Sequence, residues 1–86
     1  MAATKRLMVL SPNQIMTAKT WYSFIGINDI AEVDKATLNR ISASDTVVLN
    51  ERSCLIFMRW WNYLPSEMID HCDRDLYDTL RDFLYD

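Results

Sequence analysis

The residues best equipped for chemistry in this chain are few. His71 is the only histidine, and it stands beside Cys72; the second cysteine, Cys54, lies far upstream. A nucleophilic Cys-His pair needs hydrogen-bond reach and a third group to orient the base. Adjacent positions on a helix do not face each other, and Cys72 falls on an apolar stripe, which predicts a core thiol. Zinc takes three or four protein ligands at recognisable spacing, more than one histidine and two distant cysteines supply. Gly26 is the only glycine, so there is no glycine-rich phosphate loop. The reading is a non-enzymatic chain with no cofactor and no metal.

Carboxylates are the exception to this scarcity. Residues 66–86 hold seven acidic and two basic side chains, against five acidic and seven basic in residues 1–65. Glu67, Asp75, Asp78, Asp82 and Asp86 fall on one face of a C-terminal helix expected over about 66–84. Its opposite face carries Ile69, Cys72, Leu76, Leu80 and Phe83, with Met68 and Leu84 flanking. Asp78, Asp82 and Asp86 recur every four residues, a spacing at which like charges weaken a helix. Carboxylates on a convex solvent face lack the pocket that tunes an acid or base. They are suited to docking on a basic surface. The blander account is a solvated face that keeps an apolar small protein in solution.

The elements that would position these residues are helical. Half of the 86 residues are hydrophobic, with one glycine and two prolines, which predicts one domain, 1–86, of helices with short connections. Ser11, Pro12 and Gln14 form a capping signature, and Leu10 and Ile15 occupy staple positions. Ile15, Ala18, Trp21, Tyr22 and Ile25 then mark a first helix over about 12–25, with Gly26 placed for a left-handed end. Asp29 with Glu32 predicts the cap of a second helix over about 30–42, striped by Ile30, Val33, Thr37 or Leu38, and Ile41. No internal repeat is visible.

The stretch Ser44–Leu64 decides the fold class. Leu49, Ser53, Ile56, Phe57, Trp60 and Leu64 follow helical spacing, and Glu51, Arg52, Arg59 and Asn62 fall opposite. Ser44 and Asp45 suit a helix start, and Pro65 ends the run. The expectation is an all-α, compact four-helix bundle. The alternative is α+β, with a short N-terminal strand at 5–10 joining a 46–61 hairpin, since Val47, Val48 and the aromatic residues also favour strands. Adjacent Trp60 and Trp61 cannot both be covered in so small a domain. With Tyr77 and Tyr85 they are the aromatic candidates for a contact surface.

The net charge is −3, and no basic stripe is present. The turn between the first two helices nevertheless has the outline of a helix-turn-helix. Val33–Arg40 would be the recognition helix, with Thr37, Asn39 and Arg40 toward DNA and Lys35 toward phosphate. Asp29, Glu32 and Asp34 crowd the end that would enter the groove, where phosphate repels them. No apolar run is long enough for a membrane span, and no signal peptide is evident. The cysteines fit free thiols in a reducing cytoplasm.

These observations converge on an acidic protein-interaction module, an inhibitor or adaptor that docks on a basic surface of a partner such as nucleic-acid-processing machinery. In size, charge and lack of catalytic motifs the chain is similar in type to small phage-encoded inhibitors. The alternatives are a DNA-binding regulator and a homo-oligomeric structural protein, with a homodimer through Trp60 and Trp61.

Overall fold

Strand, helix, short 3-10 turn and helix follow one another twice along the chain. A computed structural model describes residues 7–43 and 46–85. The first half contains β1 (Met8–Leu10), α1 (Pro12–Ser23), a 3-10 turn at Ile27–Asp29 and α2 (Glu32–Ser42). The second contains β2 (Val47–Leu49), α3 (Glu51–Trp61), a 3-10 turn at Ser66–Met68 and α4 (His71–Tyr85). The four helices form the expected bundle, and the two strands add a small antiparallel ribbon.

Each strand stops where a capping residue begins the next helix. Ser11 accepts the Gln14 N–H at 3.3 Å, and the Gln14 side chain accepts the Ser11 N–H at 2.9 Å. Asn50 accepts the Ser53 N–H at 3.0 Å. The central stretch is therefore not one helix from Ser44. β-Branched Val47 and Val48 extend against β1, and Asn50 starts α3. The proposed cap pair Ser44 and Asp45 lies outside the described residues. The strand partner of 47–49 is 8–10, and 50–53 is a helix start rather than a hairpin turn.

The boundaries after α1 and α3 also differ from expectation. Gly26 has φ −60° and ψ 141°, so it makes no left-handed cap. Its backbone matches that of Pro65, at −63° and 141°. Instead, the Phe24 and Ile25 N–H groups close short turns onto the Trp21 and Tyr22 carbonyls. A Cβ at position 26 would stand 3.2 Å from the Asp29 carboxylate, so glycine suits the tight turn. Asp29 ends the 3-10 turn and does not cap α2; Asp34 reaches back to the Ala31 N–H at 2.9 Å. The last helix begins at His71, where Asp70 and Asp73 exchange backbone-to-side-chain hydrogen bonds at 3.0 and 3.1 Å. Cys72 is exposed and outside the core, because Asp73 takes the inward position at this turn.

An internal repeat underlies this order, at an offset of thirty-nine positions (Trp21 to Trp60, Asp34 to Asp73). Leu10, Ile15, Ala18, Trp21, Ile25, Asp34, Thr37 and Ile41 are buried; so are Leu49, Cys54, Phe57, Trp60, Leu64, Asp73, Leu76 and Leu80, the same positions one repeat later. The ribbon obeys the same symmetry. Val9 pairs with its own counterpart Val48, while Met8 pairs with Leu49 and Leu10 with Val47. An approximate two-fold axis thus passes between Val9 and Val48. Packing follows it: Trp21 meets Trp61 edge-on at 5.3 Å, and Trp60 meets Tyr22 edge-on at 5.2 Å. Neither half could bury its apolar face alone, so the halves share one core.

Candidate functional site

α4 turns Leu76 and Leu80 into the core and leaves Asp75, Asp78 and Asp82 exposed. Its apolar residues recur at helical spacing, which collects the carboxylates on the other side. Arg81 lies 3.6 Å from Asp78, an exposed pair of little energetic weight. Glu67 is exposed in the preceding 3-10 turn, and Asp86 lies outside the described residues. The equivalent positions in α2 and its C-cap are Ala36, Asn39 and Ala43, all exposed. The same architecture is thus built once with an acidic row and once without.

The aromatic candidates separate. Trp60 is fully buried and belongs to the core. Trp61 is half-buried, stacked on Tyr77 at 4.5 Å and packed edge-on against Trp21. Tyr85, 76% exposed at the end of α4, is the aromatic residue most available to a partner.

Two buried aspartates, Asp34 and Asp73, belong to no sequence motif. Trp60 donates its indole N–H to Asp34 at 2.9 Å, and Trp21 donates to Asp73 at 2.8 Å. Each bond joins one half to the other. Arg59 also pairs with Asp34, which is fully buried. Burial raises the Asp34 pKa, but hydrogen bonds from Arg59, the Trp60 indole and the Ala31 N–H outweigh it and hold the carboxyl below its ordinary value. The Arg59 pKa is raised, chiefly by its hydrogen bond to Asp34. The available signal was spacing: Leu10, Trp21, Ile30 and Asp34 recur as Leu49, Trp60, Ile69 and Asp73.

Asp73 has no such cation. Among the described residues no ion pair reaches it. It borders a groove of about 390 Å³ between α1 and the start of α4, open beside Met16, Thr20, Phe24, Met68 and Asp70.

The cysteine and histidine positions offer less. Cys54 is buried, and burial, aided by Glu51, pushes its thiol up to about 11, so it stays protonated near neutral pH. His71 and Cys72 approach more closely than adjacent helical positions suggest, with Nε2 3.7 Å from Sγ, but both are exposed. No group of three or more His, Cys, Asp or Glu among the described residues is arranged to hold a metal ion. No described helix is long and apolar enough to cross a membrane. In the would-be recognition helix, Thr37 is buried and donates to the Val33 carbonyl. Arg40 donates to the Val48 carbonyl and Lys35 pairs with Glu32. No family model, curated protein or solved structure matches the chain.

Proposed function

We propose that this chain is a non-catalytic binding module whose acidic α4 face docks on a basic surface of another protein and blocks or adapts it. One observation carries the reading: Asp75, Asp78 and Asp82 are exposed on α4, whereas α2 and its C-cap, built to the same plan, have Ala36, Asn39 and Ala43 there. The fold does not require the carboxylates. The mutual repulsion of the row, and the place of Asp82 in the last turn of α4, each cost a few tenths of a kcal/mol. Such a row steers a basic partner and sets its register. A surface that handles nucleic acid has the matching charge, which favours an inhibitor or adaptor of such machinery. Tyr85 at the end of the row adds an aromatic contact. The two free cysteines suit a reducing, cytoplasmic setting.

The ribbon is the observation that favours DNA instead. A two-stranded antiparallel ribbon fits the major groove, and its two-fold axis would match that of the duplex. Its exposed side chains, however, include Val9 and Val48, with Leu7 just before it, and none of these has a hydrogen bond to offer a base edge. Acidic residues also begin α2 and α4. Protein docking is the better-supported reading.

Affinity capture from nuclease-treated lysate at low and high salt tests it. The expected result is one protein retained at low salt and weakened at high salt, and lost when Asp75, Asp78 and Asp82 become Asn without unfolding. Retention unchanged by these substitutions overturns the acidic row. A duplex-DNA shift with no protein captured transfers the assignment to the ribbon.

A further inference from the structure

We infer that the groove bordered by Asp73 is a receptor for one guanidinium group, supplied by an arginine of the partner protein. The other half of the molecule shows the filled form of this site. Moving the groove by one repeat places Leu55 at Met16, Arg59 at Thr20, Tyr63 at Phe24, Ala31 at Asp70 and Asp34 at Asp73. There, Asp34 accepts the Trp60 indole N–H and the Ala31 N–H, and Arg59 completes its shell. Here, Asp73 accepts the Trp21 indole N–H and the Asp70 N–H in the same manner. Thr20 is too short to do what Arg59 does, and its hydroxyl is turned to the Met16 carbonyl at 3.1 Å. What remains is a carboxylate 7% exposed, with no described cation, at the wall of an open groove.

The groove has the other attributes of an arginine site. Asp70 adds a second carboxylate where the filled half has uncharged Ala31. Phe24 stands at the position of Tyr63 and lines the groove, an aromatic ring of the kind that attracts a planar cation. Met16 and Met68 provide adaptable apolar walls for the methylene stem, which a side chain of this kind buries while its head is paired. Guanidinium is preferred over ammonium because it is planar, forked and more weakly hydrated. The partner as the source of the arginine rests on the docking reading above. The groove's preference for a guanidinium does not: it rests on these lining residues and on the comparison with Asp34 and Arg59.

The test is a titration of the full chain with N-acetyl-arginine amide, followed through the two indole N–H signals of Trp21 and Trp60 by NMR. The expected result is a saturable shift of the Trp21 signal with the Trp60 signal unmoved. N-Acetyl-citrulline amide, which has the shape without the charge, should produce no shift. Asp73→Asn should weaken binding about tenfold or more. Thr20→Arg rebuilds the other half's ion pair; it should raise the urea midpoint and remove the response to the probe. Asn at 75, 78 and 82 should leave the probe response in place. Equal movement of both indoles, no movement of either, or full binding by Thr20→Arg overturns the inference. Loss of the probe response in the 75, 78 and 82 variant does so as well, because general charge would then be its cause. Should the probe fail while the partner is still captured through α4, the groove is refuted and docking stands; the reverse pattern refutes docking alone.

Discussion

Trp21 and Trp60 perform the same task on opposite sides of one axis, each donating to the aspartate at the start of the other half's second helix, at 2.8 and 2.9 Å. Around those bonds the halves diverge. The Asp34 side is closed by Arg59, and at the positions matching the acidic row its helix α2 and the following cap have Ala36, Asn39 and Ala43. The Asp73 side is open toward a groove, and its helix α4 carries Asp75, Asp78 and Asp82 outside. What the halves share is what the fold demands: two strands that pair, capped helices, and apolar residues at matched depths. What they do not share is free of that demand. An internal repeat is thus its own control, because each surface position can be read against a counterpart in the same architecture.

The largest effects should fall on shared positions and should be equal. Leu10→Ala and Leu49→Ala each remove a fully buried side chain from the ribbon's inner face. Each should cost about 3–4 kcal/mol in urea unfolding, within about 1 kcal/mol of the other. A large cost on one side only would break the equivalence.

The aspartates should then separate the halves. Asp34→Ala leaves the Trp60 N–H and the Arg59 charge without their acceptor. Arg59 is 39% exposed on its side chain, which tempers the penalty to about 2–3 kcal/mol. Asp73→Ala leaves the Trp21 and Asp70 N–H groups without their acceptor but strands no described cation, and should cost about 1–2 kcal/mol. Equal losses would mean that Arg59 adds nothing.

The acid limb of stability sharpens the same contrast. The folded-state pKa of Asp34 lies below its unfolded value. Its contribution is therefore present above the ordinary carboxylate range, about pH 4, and is lost as pH falls through the lower, folded value. Arg59→Met should make the loss of stability in acid shallower, measured by urea midpoints across pH 2–6. An unchanged acid limb would place the depression elsewhere. Smaller still, Ser11→Ala and Asn50→Ala should each cost about 1 kcal/mol as helix caps.

Much of the fold was legible because local signals agreed with it. Ser11, Pro12 and Gln14 announced α1, and the stripe Leu76–Leu80 placed α4. Ser44–Leu64 misled because Val47 and Val48 fit a helical face and a strand equally well, and only pairing with Met8–Leu10 decides between them. That pairing is non-local and leaves no mark in a short window. The repeat is faint in the sequence because its counterparts are mostly different residues of like burial, such as Ala18 and Phe57 or Ile15 and Cys54. The acidic row was visible from helical spacing alone. The Asp73 groove was not, since its meaning depends on Arg59 filling the equivalent place across the axis.

The most direct test dresses α4 as α2: Asp75→Ala, Asp78→Asn and Asp82→Ala, the residues of the other half at the same positions. Urea unfolding should show stability unchanged or raised by a few tenths of a kcal/mol, as like-charge repulsion is removed. Capture of the partner from lysate, measured on that variant beside the unaltered chain, should be lost. Capture at full strength would contradict the account, for it would show that the difference between the halves is not what a partner reads.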